Sequence, residues 1–360
     1  MTPITLAAIY NLSGGQAGLD RPSWQGARLA VAQANEGGGV LGRPVELVLV
    51  NSGTDPAALG GMTAQLLADQ PSICALFGLS DTDMVLAAAT SCAAVERLFV
   101  TSGATSPHLP QQVPTYLYLA CFGDNVQAAA AAEFAYNELG ARRAAAFYRR
   151  NDTFTELLQG YFTTRFDELG GHTLRATGYE SLDEVTGWAA ELPPTDVVFF
   201  SAAPDDVIAG ISRMRAAGVS APIVGGDSFD LGRAWAAAPN LADVYFTTHA
   251  FVDHAHPDPA MAAFIGAYEM ANPGQEAGAF AALGYDTARL IMAAVERAGS
   301  DDPAAVLAAF PAGAPFVGLT GTIRYESGHR IPSKSVTLLR VGDGWAALAA
   351  QITPARVPAP

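Results

Sequence analysis

The stretch ITLAAIYNLSGGQAGLDRPSWQGARLAVAQANEGGGVLGRPVELVLV, running from Ile4 to Val50, decides the fold. Ile4–Ile9 is a nearly unbroken apolar run, as expected of a strand buried on both faces of a parallel sheet. Asn11-Leu12-Ser13-Gly14-Gly15 carries loop chemistry, and from about Trp24 to Asn35 the apolar positions Ala27, Leu29, Ala30, Val31 and Ala34 predict a helix. Gly37-Gly38-Gly39 ends that helix, because glycine enters the left-handed cap conformation without a Cβ clash. Val40-Leu41-Gly42-Arg43-Pro44 then turns into a second apolar strand, Val45–Val50. Strand, helix and strand in this order form one unit of a doubly wound α/β sheet.

The pattern repeats outward from there. Helix Pro56–Ala68, strand Ile73–Phe77, helix Asp83–Ala94 and strand Leu98–Val100 complete the first unit. Near Leu119–Phe122 it restarts, with helices Val126–Glu138, Phe154–Leu169 and Asp205–Ala217 interleaved with strands Ala144–Tyr148, Thr173–Gly178, Val197–Phe200 and Pro222–Val224. Asp243–Thr248 reads as a further strand, Pro259–Met270 and Gly278–Ala298 as long helices. Gly321–Tyr325, Ser335–Val341 and Trp345–Gln351 read as antiparallel strands. A chain of 360 residues exceeds one ordinary core, and two similar units without a Ser/Pro-rich linker imply two lobes. The joints are expected at the short extended segments near Ala120, Thr248 and Tyr325.

Half the residues are hydrophobic and 15% are charged, enough to bury two cores. The net charge of −15 repels polyanions, so nucleic acid is not an expected partner. The longest apolar run in a helical segment, Ala128–Ala132, is far too short to span a bilayer, so no membrane insertion is expected. No basic and apolar leader precedes Ile4, which fits either a cytosolic protein or one whose leader has been cut. Cys74, Cys92 and Cys121 are odd in number; one bridge, Cys74 to Cys92, or three buried thiols are the two readings. His254 and His256, in a Pro/Asp loop, are expected in solvent, and neither a metal site nor any cofactor is expected. Ser13-Gly14-Gly15-Gln16 and Gly37-Gly38-Gly39 match no phosphate loop, and there is no Gly-x-Ser-x-Gly elbow, so the chain does not read as an enzyme.

Several strings appear in a telling order. They are Leu12-Ser13-Gly14, Trp24-Gln25-Gly26-Ala27, Asn35 through Gly-Gly-Val-Leu-Gly-Arg-Pro, and Asp55-Pro56-Ala57. Thr101-Ser102-Gly103-Ala104-Thr105-Ser106-Pro107, Phe122-Gly123-Asp124-Asn125-Val126-Gln127, Ala216-Ala217-Gly218 and Gly284-Tyr285-Asp286 follow. In order and spacing the sequence resembles the periplasmic leucine/isoleucine/valine-binding proteins, the type I solute-binding proteins of ABC transporters. The resemblance implies two Rossmann-like lobes joined by a three-segment hinge, residues 1–120 plus 249–325 and 121–248 plus 326–360. It also implies a monomer outside the cytoplasm, its leader absent from this sequence, that closes on a small molecule in the cleft and delivers it to a membrane permease.

The resemblance also places a site. A ligand's α-carboxylate would fall on Thr82, in Gly78-Leu79-Ser80-Asp81-Thr82, and on the Gly103-Ala104-Thr105 loop. Both segments follow sheet strands, and the start of a helix at Thr82 favours an anion. Thr82 or Ser80 equally suits a plain helix N-cap. The ammonium would meet the Gly103 carbonyl, the Thr105 hydroxyl and a carboxylate at Asp227, in Val224-Gly225-Gly226-Asp227-Ser228. Asp227 lies just past a strand end, where ligands approach open α/β sheets, although capping the next helix is its alternative role. Its side chain is one methylene shorter than the glutamate of some relatives. Phe154 falls where relatives often carry a tyrosine lid, and Leu19 and Ala203 fall where the leucine binder has aromatic contacts. Trp24 and Phe280 are further candidates and Tyr10 a weaker one, with core packing the alternative for each aromatic. Two other functions suit the same scaffold: a cytosolic amide or amino-acid sensor, and a binder of urea, short amides, polyamines or aromatic acids.

Overall fold

A computed structural model describes residues 2–360. In chain order the elements begin β1 (Ile4–Tyr10), α1 (Ala17–Glu36), β2 (Val45–Asn51), α2 (Pro56–Asp69), β3 (Ile73–Gly78), α3 (Thr82–Ala93), β4 (Leu98–Thr101), α4 (Leu109–Gln112) and β5 (Leu117–Leu119). They continue with α5 (Asp124–Asn137), β6 (Arg143–Arg149), α6 (Thr153–Glu168), β7 (His172–Tyr179), α7 (Leu182–Ala190), β8 (Val197–Ser201), α8 (Val207–Ala216), β9 (Ile223–Gly225) and β10 (Val244–Thr248). Helices α9 (Pro259–Ala271), α10 (Ala279–Ala298) and α11 (Pro303–Ala309) precede strands β11 (Phe316–Gly318), β12 (Gly321–Ile323), β13 (Val336–Gly342) and β14 (Trp345–Ile352). The chain divides into two compact units, Met1–Phe122 with Val252–Lys334, and Gly123–Phe251 with Ser335–Pro360.

In the first unit a five-stranded parallel sheet has the order β2-β1-β3-β4-β5. Every residue of β1 is buried, and alternate residues feed opposite faces. Leu6, Ala8 and Tyr10 join one core with Ala288, Ile291 and Val295 of α10, while Ala7 and Ile9 join the other with Leu76, Val85 and Leu119. This is why the strand reads as continuous apolar sequence rather than as an alternation. Order reverses between β1 and β3, so the crevice at their carboxyl ends is the place where such a sheet accepts ligands.

The second unit repeats the plan. Its parallel strands run β7-β6-β8-β9-β10, again reversing at the first strand, and β13 and β14 extend the sheet antiparallel. No helix among the described residues is long and apolar enough to cross a membrane.

Two expectations change. Helix α1 starts at Ala17, not near Trp24, and carries Pro22 inside it. Proline lacks one N–H and crowds the carbonyl four residues back, here Gly18. Two early turns tolerate this, and the extension puts Leu19 and Asp20 on the helix. The expected strand through Tyr325 stops at Ile323, where it pairs with Phe316–Gly318. Of the two readings for the cysteines, three buried thiols is the one observed: Cys74, Cys92 and Cys121 are all free and buried.

Buried polar groups tie down the return of the chain into the first unit. The Asp286 carboxylate accepts from Leu319 N (3.0 Å), Thr320 N (2.8 Å) and Thr320 Oγ1 (2.8 Å). Lys334 Nζ donates to Thr320 Oγ1 (2.7 Å) and the Ala120 carbonyl (3.2 Å), fastening two segments next to points where the chain leaves the unit.

Candidate functional site

In the first unit, loops after β1, β3 and β4 meet at one end of the sheet. Gly78 closes β3 at φ +130°, and a Cβ there would lie 2.0 Å from the Ile9 carbonyl, so only glycine lets these loops approach. The post-β4 loop is laced to the post-β3 loop. Ser102 N donates to Gly78 O (3.0 Å), Gly103 N to Leu79 O (3.1 Å), and Thr101 Oγ1 to Leu79 O (3.0 Å). Ala104 N donates to Thr101 Oγ1 at 3.0 Å. The Gly103 and Ala104 amides are therefore committed inside the loop pair. Ser80 lies against Gly103: a Cβ on Gly103 would sit 2.8 Å from Ser80 Oγ and 3.0 Å from the Phe280 ring.

Thr82 is the first residue of α3 rather than its cap. Asp81 caps the helix, its Oδ1 accepting from Met84 N at 2.9 Å, so neither Thr82 nor Ser80 has the capping role. Thr82 and Thr105 are both buried at this sheet end. Leu19 and Phe280 belong to the core beneath it, and Trp24 is half-buried against the opposite core with its ring centroid 6.2 Å from that of Tyr10. The Tyr10 hydroxyl is bound to Ser102 Oγ at 3.0 Å and accepts from Ser23 Oγ at 3.2 Å; burial raises its pKa.

Asp20 escaped the sequence reading. It is fully buried, its Oδ2 accepting from Asn11 N and Asn11 Nδ2, both at 2.8 Å. Its Oδ1 and Ser80 Oγ have no hydrogen-bond partner. Burial pushes the Asp20 carboxyl up to about 7, opposed by the Asn11 donors and by the nearby Ser80 hydroxyl, which stands outside hydrogen-bond geometry. The folded protein thus holds a proton that the unfolded chain releases near pH 4. Stability from this group is complete below about pH 4 and is lost as pH rises through 7. Asp20→Asn keeps an acceptor for Asn11 and offers an N–H toward Ser80. It should stabilise the protein at pH 8 by on the order of 1–4 kcal/mol and leave it unchanged at pH 4, as read by urea denaturation.

In the second unit the loops after β6, β8, β9 and β10 converge in the same way. Asp227 opens a short turn after β9 whose N-cap is Gly226, so its side chain caps nothing. The carboxylate is buried and held on both oxygens. Oδ2 lies 2.9 Å from His249 Nε2, and Oδ1 accepts from Gln127 Nε2 at 3.1 Å. Gln127 Oε1 faces donors, Asp227 N at 3.2 Å and Thr247 Oγ1 at 2.6 Å, while its Nε2 also reaches Asp124 Oδ1 at 3.0 Å. The donor and acceptor pattern fixes the amide orientation.

Phe154, at the start of α6, belongs to this cluster. A Cβ on Gly226 would meet the Phe154 ring at 3.3 Å and Gln127 Oε1 at 3.6 Å. Ser228 Oγ donates to the Ala202 carbonyl at 2.7 Å, which brings Ala203 to the same sheet end. Asp230 accepts from Thr248 Oγ1 at 2.6 Å, and burial lifts its carboxyl to about 6. His254, by contrast, is exposed beside Glu269 at 3.1 Å.

The structure brings Asp227 and Phe154 together with Gln127 and His249, two residues the sequence did not single out as candidates. Gln127 stood in the Phe122–Gln127 string, and His249 follows the last apolar strand. Neither position says which carboxylate it would meet.

The sequence profile of the periplasmic binding proteins matches residues 3–345. A Leu/Ile/Val-binding protein homologue of Brucella melitensis is 26% identical over 348 residues, covering 95% of this chain and 92% of that protein. The Leu/Ile/Val-binding protein BraC3 of Rhizobium johnstonii is 25% identical, over 94% of this chain and 91% of its own length. Among solved structures, the leucine-binding protein LivK of Thermotoga maritima superposes with a TM-score of 0.86 at 27% identity, covering 98% of this chain and 99% of that one. LivJ of Streptococcus pneumoniae gives 0.87 at 20% identity over 98% of this chain and all of its own, a likeness of fold. Two units with reversing parallel sheets, three chain crossings, and a profile match over nearly the whole length lead to one assignment: the chain belongs to the periplasmic binding protein family, with the type I fold.

Proposed function

We propose that the protein is an extracytoplasmic solute-binding protein that takes an amino acid with an aliphatic or aromatic side chain and presents it to the permease of an ABC importer. The observation that carries this reading is the buried Asp227 carboxylate at the carboxyl end of β9, flanked by the Phe154 ring. Such a carboxylate suits an ammonium group, and the apolar ring beside it suits an apolar side chain. In the first unit the Thr82 and Thr105 hydroxyls would receive the carboxylate, with the Gly103 carbonyl as a second acceptor for the ammonium. The names of the relatives support the chemistry: two are Leu/Ile/Val-binding proteins, LivJ was solved with isoleucine, and a Desulfitobacterium hafniense protein with leucine.

A second reading has an observation behind it. Asp227 already faces His249, which, when protonated, would compensate charge that an ammonium would otherwise meet. Two solute-binding proteins of the same fold, from Rhodopseudomonas palustris, were solved with benzoate and 3,4-dihydroxybenzoic acid, ligands without an ammonium. Thermal-shift measurements against the twenty L-amino acids and benzoate separate the readings. A ligand at 100 times its Kd stabilises by about 2.7 kcal/mol, which is readily seen. Shifts with apolar amino acids support the first reading; a shift with benzoate alone supports the second.

A further inference from the structure

The cluster behind Asp227 is built for more than holding a carboxylate still. We propose that His249 is the positioning residue of the Asp227 half-site, and that it couples ligand binding to a proton. The proposal rests on the reading that Asp227 receives the ligand's ammonium.

A carboxylate only accepts hydrogen bonds, so Nε2 of His249 carries the hydrogen that points at Oδ2. Gln127 donates to the other oxygen, and its own orientation is fixed by Asp227 N and Thr247 Oγ1. The carboxylate plane is therefore set by one donor on each oxygen, and its remaining lone pairs are those left for a ligand. With a neutral ring, no cation on His249 stands beside the Asp227 carboxylate. With a protonated ring, the two form a buried ion pair, and a ligand ammonium must compete with a cation at 2.9 Å. Ammonium binding should thus favour the neutral ring and release a proton.

Two further acids are linked to this pair. Asp230 reaches it through Thr248, on the same turn as Asp227, and Asp124 reaches it from α5 through Gln127. At this end strand β10 carries Thr247 and Thr248, and Thr337 of β13 pairs with Thr248. Asp230 titrates near pH 6 and would act in the same direction, so it needs its own control.

The test has two parts on the full chain. The first needs no ligand: the ring-nitrogen shifts of His249 are followed by 15N NMR from pH 5 to 9 in the native protein and in Asp227→Asn. Coupling predicts a hydrogen on Nε2 throughout and a midpoint that moves at least one pH unit lower in Asp227→Asn. An unmoved midpoint overturns the proposal. The second part is calorimetry with L-leucine and L-phenylalanine at pH 5.5 and 8.0. Native protein should bind about tenfold more weakly at the lower pH. His249→Gln, which keeps an N–H near Nε2 but cannot titrate, should lose that dependence, and Asp230→Asn should retain it. Retention of the dependence in His249→Gln, or its loss in Asp230→Asn alone, overturns the role of His249. If Asp227→Asn binds both amino acids as tightly as native protein, the ammonium reading of Asp227 fails instead, and the NMR comparison still decides the coupling.

Discussion

Gly26→Ala should destabilise the first unit by about 3 kcal/mol or more. Helices α1 and α10 cross so closely that a Cβ on Gly26 would lie 1.9 Å from the Ala281 carbonyl oxygen and 2.9 Å from its carbon. Both atoms are backbone, so no rotamer change relieves the contact. The approach is reciprocal: a Cβ on Gly284 would lie 1.9 Å from the Ser23 carbonyl. Relief requires moving α10, whose buried residues Leu283, Ile291 and Val295 feed both cores of this unit. For a unit of this size the loss corresponds to a fall of roughly 6–12 °C in Tm. Gly284→Ala should behave similarly, and the double variant should lose less than the sum, because one displacement serves both. Calorimetric melting would show this; a Gly26→Ala variant within 1 °C of the native protein would contradict the packing described.

Asp227→Asn should weaken amino-acid binding by tenfold or more. An ammonium bound to a buried carboxylate contributes roughly 1.5–3 kcal/mol beyond its neutral counterpart, a factor of about 10 to 150. Asparagine also cannot satisfy its surroundings. Both carboxylate oxygens face donors, His249 Nε2 and Gln127 Nε2, so the new amide group must point its N–H atoms at one of them. The half-site would lose its charge and its fixed geometry together. Titration calorimetry measures this directly, and unchanged affinity would remove Asp227 from ammonium recognition.

The α/β architecture was legible because strands such as Ile4–Tyr10 and Val197–Ser201 are buried on both faces and therefore read as apolar runs. Helix α1 was legible only in part. Gly18, Asp20 and Pro22 are poor helix formers, and the packing of Leu19 into the core outweighs them. Strand β5 and helix α4, three and four residues long, are too short for periodicity to register. At the site, Asp227 could be placed from its position after an apolar strand beside two glycines. Its partner Gln127 lies 100 residues away on another helix, and such pairings exist only after the units assemble. Asp20 was passed over for a related reason: an acid in a polar stretch reads as solvated, and only the reversal of the sheet between β1 and β3 buries it.

On the proposed reading, the protein recognises an amino-acid head group. The most direct measurement is calorimetry with the amino acid that gives the largest thermal shift, beside the same molecule lacking its amino group and the same molecule lacking its carboxylate. Both truncated ligands should bind at least tenfold more weakly than the parent, since each leaves one half-site unanswered. Equal affinity for the parent and the acid lacking its amino group would contradict the claim and turn the assignment toward carboxylic acids.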